Sequence, residues 1–175
     1  MPGRGGNLPA GEVFLSPELG ASSGRVVFDG SIATDAGEVV LREPIVAEVR
    51  GGIVRRISGG QEAEMLRGAV ARGAGIALGL GREGKLPRRV AARYAANARN
   101  LGELGIGVNR AARVIGNVLE DEKVYGTCHL AIGSNYDSDA PALIHCDGII
   151  MEPTLVAALP GGRERTIMDR GELRV

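Results

Sequence analysis

Gly126-Thr127-Cys128-His129-Leu130-Ala131-Ile132-Gly133-Ser134-Asn135-Tyr136, followed by Ala142-Leu143-Ile144-His145-Cys146-Asp147, is the stretch that decides how the rest of the chain is read. It holds both histidines of a 175-residue chain, 16 positions apart. The alternation in Ile144-His145-Cys146-Asp147 predicts a strand, whose successive side chains point to opposite faces. His145 and Asp147 then share one face and Cys146 takes the other. In the preceding segment His129 takes one face, and Cys128 and Leu130 the opposite one. Two imidazoles and a carboxylate converge on one side, with apolar partners behind them. Neutral imidazole is the commonest protein ligand for transition metals, so a metal centre is the first expectation.

Working outward, residues 101–175 read as β structure, with Leu104, Ile106 and Val108 alternating against Glu103, Gly105 and Gly107. A short helix is expected over Ala111 to Leu119. Residues 1–58 also read as β: Glu12 to Ser16 ends at Pro17, Gly24 to Ile32 alternates, and a hairpin turns at Gly51-Gly52. Between these regions, 61–100 has helical spacing, with a break expected at Gly79–Gly84. Pro87 is placed to open a second helix at its first position. The fold class is therefore α+β, mostly antiparallel, with a central helical segment from Gln61 to Asn100.

The length fits one domain, 1–175, and 44% hydrophobic residues can bury a core. Twenty-one basic residues balance 21 acidic ones, which argues against a nucleic-acid partner bound by phosphate neutralisation. Arginine carries nearly all the positive charge: Lys85 and Lys123 are the only lysines, a bias read as compositional. No apolar run is long enough for a bilayer and no secretory signal is present, so a cytoplasmic protein without a membrane partner is expected. Two cysteines make no disulfide framework and read as buried core residues.

Four places set an ionisable residue among small or apolar neighbours: Glu12, Glu103, His129 and the His145/Asp147 pair. Glu103 sits in Gly102-Glu103-Leu104-Gly105-Ile106-Gly107, where glycines permit close approach of backbone or ligand. Taken alone, each of these residues reads more readily as an ordinary surface carboxylate or a hydrogen-bonded core histidine than as a ligand. Tyr136 reads as a strand-capping phenol or as a donor to a developing oxyanion. The turn Asn135–Asp139 is no calcium loop, because Ala140 and Cys146 stand where such a loop needs Gly and Glu. Dinucleotide, Walker and nucleophile-elbow motifs are absent.

Asn7-Leu8-Pro9-Ala10-Gly11-Glu12-Val13-Phe14, Gly102–Asn109, Cys128–Tyr136 and Ile144–Gly148 together resemble the aminopeptidase T / aminopeptidase S family of metallo-aminopeptidases. The resemblance implies five metal ligands, Glu12, Glu103, His129, His145 and Asp147, holding two divalent ions, zinc or cobalt. It implies a catalytic Tyr136, with a ligand carboxylate, Glu12 or Glu103, as general base. It also implies a peptide substrate with a free N-terminus, cleaved by water activated between the metals. Family members are about twice as long, with an α/β domain before the first motif. The expectation is the metal-binding part alone, as a homodimer or with a partner chain supplying the missing domain. Two alternatives stand beside this one. Two histidines and an aspartate also make the triad of mononuclear iron(II) oxygenases. The 2,5-dihydroxypyridine dioxygenases look related to the same fold, which implies one iron(II) on His129, His145 and Asp147 with the glutamates around those ligands. A non-catalytic truncated homologue is the third.

Overall fold

The computed structural model describes residues 10–174. The first motif's residues before Ala10 therefore lie outside the described residues. Six strands form the main sheet: β1 (Glu12–Leu15), β3 (Ser31–Thr34), β4 (Gly37–Val40), β7 (Leu101–Gly107), β8 (Thr127–Gly133) and β9 (His145–Met151). Their order is β1-β7-β8-β9-β3-β4, with every neighbouring pair antiparallel. A second sheet, order β2-β5-β6, combines β2 (Gly24–Phe28), β5 (Ile45–Arg50) and β6 (Ile53–Ser58). The third, order β10-β11-β12, is built from β10 (Leu155–Leu159), β11 (Arg163–Asp169) and β12 (Glu172–Leu173). Helices α1 (Gln61–Arg82) and α2 (Arg88–Asn97) supply the central helical segment. The protein is thus α+β with mostly antiparallel strands, as its periodicity predicts.

The core is largely aliphatic, with one buried phenylalanine, Phe28. Phe28, Ile32, Ile45, Val54, Leu66, Val70, Ile132 and Cys146 form one buried cluster, which joins α1, the β2-β5-β6 sheet and the rear of the main sheet. Cys128 and Cys146 are free thiols and are buried, on the side the alternation assigns them. Burial pushes both thiols up to about 12. No helix among the described residues is long and apolar enough to cross a membrane.

Three local expectations need correction. The expected break at Gly79–Gly84 falls within the last turn of α1, which runs on to Arg82. The reason is packing: a Cβ on Gly81 would lie 2.6 Å from Ala91 Cβ, so glycine lets α2 cross closely there. Gly24 to Ile32 is not one strand. Asp29 and Gly30 turn the chain, both amides donating to the Ile149 carbonyl, and β2 and β3 enter different sheets. The helix expected over Ala111 to Leu119 shrinks to α3 (Val118–Asp121). Side-chain bonds compete with helix here. The buried Asp121 carboxylate accepts from Ile115 N at 2.8 Å, Gly116 N at 3.0 Å and Ser31 Oγ at 2.6 Å. Asn117 caps what remains through Leu119 N.

Candidate metal centre

The main sheet brings the five sequence-predicted residues together from four adjacent strands. Glu12 comes from β1, Glu103 from β7, His129 from β8, and His145 and Asp147 from β9. Register explains how large polar side chains fit side by side. Each faces a small residue on the neighbouring strand: Glu12 pairs with Gly107, and His129 with Gly105. His145 pairs with Gly133, while Glu103 and Asp147 pair with Ala131 from either side. The requirement is strictest at Gly105, where an added Cβ would lie 2.1 Å from His129 Cε1.

Glu103 is the hub. Its Oε1 lies 3.1 Å from His129 Nε2, and its Oε2 lies 3.7 Å from His145 Nε2. On the inner side Glu12 Oε2 is 3.6 Å from His129 Nε2. On the outer side Asp147 Oδ1 is 3.2 Å from His145 Nε2. Two three-residue groups result, Glu12–Glu103–His129 and Glu103–His145–Asp147, each with ligand atoms within 4.8 Å of one another. The inner group is deep, with His129 at 0% side-chain exposure, whereas His145 keeps 34% at the mouth. Burial works against the His129 imidazolium, but Glu103, Asp147 and Glu12 outweigh it and raise the pKa. The same contest at His145, won by Asp147, the Ser134 carbonyl and Glu103, raises it to about 9. Burial likewise opposes ionisation of Asp147, yet His145, His129 and Lys123 hold it below the usual carboxylate range.

The residues present suit a divalent cation. Carboxylate and imidazole are its ordinary ligands. His145 Nδ1 lies 2.8 Å from the Ser134 carbonyl and must donate to it, which directs Nε2 toward Glu103 and Asp147. Such a carbonyl anchor is the usual companion of a metal-ligating histidine. His129 Nδ1 is buried without a hydrogen-bond partner among the described residues.

Two residues of the cluster have no counterpart in the sequence reading. Glu122 forms a third group with His129 and Asp147. Its pKa is raised, chiefly by burial, against the opposing Lys123 ammonium. Lys123 is fully buried, pairs with Glu122, and places Nζ 3.0 Å from Glu12 Oε1. The only signal in the sequence is that Lys123 is one of two lysines in an otherwise arginine-based chain. Tyr136 is 74% exposed, and its ring meets Phe14 edge-on at 5.3 Å between centroids. Phe14 is two residues from Glu12 on β1, so strand alternation puts Phe14 on the Glu12 face of that strand.

The antiparallel sheet gathers carboxylates and imidazoles from four strands into groups that could hold a metal ion. The 2,5-dihydroxypyridine 5,6-dioxygenase (NicX) family matches residues 1–114, and the chain belongs to this family. That span contains Glu12 and Glu103. No curated protein matches the chain. Among solved structures, the 2,5-dihydroxypyridine dioxygenase from Pseudomonas putida KT2440 is similar with a TM-score of 0.65 at 18% identity, over 91% of this chain and 42% of that one. Wild-type AmpT from Thermus thermophilus is similar with a TM-score of 0.69 at 22% identity, over 97% of this chain and 41% of that one. The chain thus spans less than half of either protein. The expected resemblance to aminopeptidase T holds as a likeness of fold, while the family match is to the dioxygenases.

Proposed function

We propose that the five clustered residues hold two divalent ions, zinc or cobalt, and that the site belongs to a hydrolase of the aminopeptidase type. The observation that carries this reading is the position of Glu103, one oxygen toward each histidine, shared by two complete three-ligand groups. A mononuclear triad needs only His129, His145 and Asp147 and would leave Glu12 and Glu103 outside the ligand set, beside Lys123 and His129. Charge agrees. With both histidines neutral as ligands, the carboxylates Glu12, Glu103 and Asp147 outnumber the one ammonium beside them, Lys123. When bound, such ions lower the pKa of a shared water and polarise a scissile carbonyl. The chain's own part is to hold that geometry. Glu103 would serve both positions, and a ligand carboxylate, Glu103 or Glu12, would take the water's proton. His145 is fixed through Ser134, and Tyr136 donates to the developing oxyanion. A peptide with a free amino terminus is the substrate of this reading.

The second reading is a ring-cleaving dioxygenase with one iron(II) on His129, His145 and Asp147, and the family match favours it. Metal content separates the two. The protein is loaded in turn with zinc, cobalt and iron(II), metal per chain is counted, and two activities are measured: release of an aminoacyl leaving group, and oxygen uptake with 2,5-dihydroxypyridine. Two zinc or cobalt ions with aminoacyl hydrolysis support the hydrolase. One iron with oxygen uptake replaces it by the second reading.

A further inference from the structure

The inner and outer ligand groups differ in one respect that the five ligands do not explain. The inner one contains a lysine ammonium, from a residue that is not itself a ligand. Lys123 reaches it from the loop after α3, with its backbone fixed by Asn109 N donating to the Lys123 carbonyl at 2.8 Å. Its side chain has 0% exposure, and the ammonium lies between Glu12 and Glu122. Glu12 is thereby divided: Oε1 faces Lys123 at 3.0 Å, and Oε2 faces His129 at 3.6 Å. The outer group, Glu103–His145–Asp147, has no lysine or arginine in ion-pair contact among the described residues.

We propose that Lys123 is a resident counter-cation of the inner carboxylates, which keeps them assembled before metal arrives and makes Glu12–Glu103–His129 the weaker of two metal positions. Two effects point the same way. A buried carboxylate without a partner is strongly destabilising, so an ammonium between Glu12 and Glu122 lets the cluster fold without metal. The same charge sits across one carboxylate from an incoming dication and repels it at short range in a poorly screened site. Lys123 is a positioning residue here. It touches the ligands and not the substrate.

This inference rests on the metal-site reading. The experiment is a zinc titration of metal-stripped protein by calorimetry with a competing chelator, together with thermal melts with and without zinc, for wild type, Lys123→Met and Lys123→Arg. In Lys123→Met the metal-free melting temperature should fall, zinc should raise it by more than in wild type, and the weaker zinc should bind at least tenfold tighter. Lys123→Arg keeps the charge and should keep the wild-type spacing between the two affinities. One zinc in wild type and two in Lys123→Met would support the same conclusion. If Lys123→Met does not fold without metal, Lys123→Gln, neutral but able to donate to Glu12, is measured the same way. An unchanged or weakened second zinc in the neutral variant overturns the proposal while leaving the metal site standing, as does equal tightening in Lys123→Arg. Wild type that binds no zinc overturns both.

Discussion

Gly105→Ala tests the arrangement of the site without touching a ligand. Gly105 lies opposite His129 across β7 and β8. The new Cβ would sit 2.1 Å from His129 Cε1, 2.2 Å from Nε2 and 2.9 Å from Nδ1. Ordinary carbon contact begins near 3.5 Å, so the ring must retreat by about 1.4 Å or β7 must bulge. Neither movement is easy, because His129 is fully buried and β7 is held between β1 and β8. Overpacking of this kind costs roughly 1–3 kcal/mol. The effect on metal is larger in kind, since ligand distances are fixed to within about 0.2 Å. A displacement several times that size removes one imidazole from the set. Zinc affinity should drop by roughly 100-fold or more, beyond the range for loss of an outer-shell partner, while the melting temperature of the metal-free protein falls by only roughly 2–10 °C. The assays are chelator-competition zinc titration and thermal unfolding monitored by circular dichroism. Zinc affinity within threefold of wild type, in a folded variant, would refute the placement of His129 against Gly105.

Three further outcomes are expected. In metal-free protein, His145 has its pKa raised to about 9; a raised pKa contributes stability in full below the unfolded value near 6.5, and that contribution is lost as pH rises through 9. Asp147 runs the other way, its lowered pKa stabilising above about 3.8 and losing that contribution in acid. Urea melts across pH should show both arms, and Asp147→Asn should flatten the alkaline one. His145→Ala should bind at least one zinc fewer by metal analysis, whereas Tyr136→Phe should keep its metal and lose roughly tenfold or more in turnover, since only a transition-state hydrogen bond is removed; equal metal content in His145→Ala would remove the assignment. Asp121→Ala strips the acceptor from Ile115 N, Gly116 N and Ser31 Oγ in a buried setting, and chemical denaturation should register a loss of roughly 3 kcal/mol or more.

The sequence was legible wherever one periodicity governs a whole element. Alternation in Ile144–Asp147 assigns His145 and Asp147 to one face and Cys146 to the core, and Cys146 does lie in the core cluster. Helical spacing from Gln61 onward is equally direct, because α1 buries Ala63, Leu66, Ala69, Val70, Gly73 and Ala77 on one stripe. Legibility failed where a single long-range contact decides. Gly81 reads as a helix breaker until Ala91 is known to need its space. Ala111–Leu119 has the composition of a helix, but Asp121 and Ser31, 90 residues apart, hold it as a loop. Lys123 and Glu122 follow no period, since they occupy the turn between α3 and β8. Their nearness to Glu12 is a property of the folded sheet alone.

The small residues facing the ligands carry one more consequence. The five polar side chains lie in the chain between residues 12 and 147, yet they meet only if β1, β7, β8 and β9 are paired at the observed register. A slip of one residue at any of these three seams turns a ligand to the opposite face. It also sets a bulky side chain where glycine or alanine stood. A bound ion would therefore act as a proofreader of strand alignment. It rewards the one pairing in which all ligands face it, by an amount that grows with the logarithm of free metal concentration. Misaligned sheets gain nothing from it. Refolding yield, and not final stability alone, should depend on metal supplied while the sheet is forming.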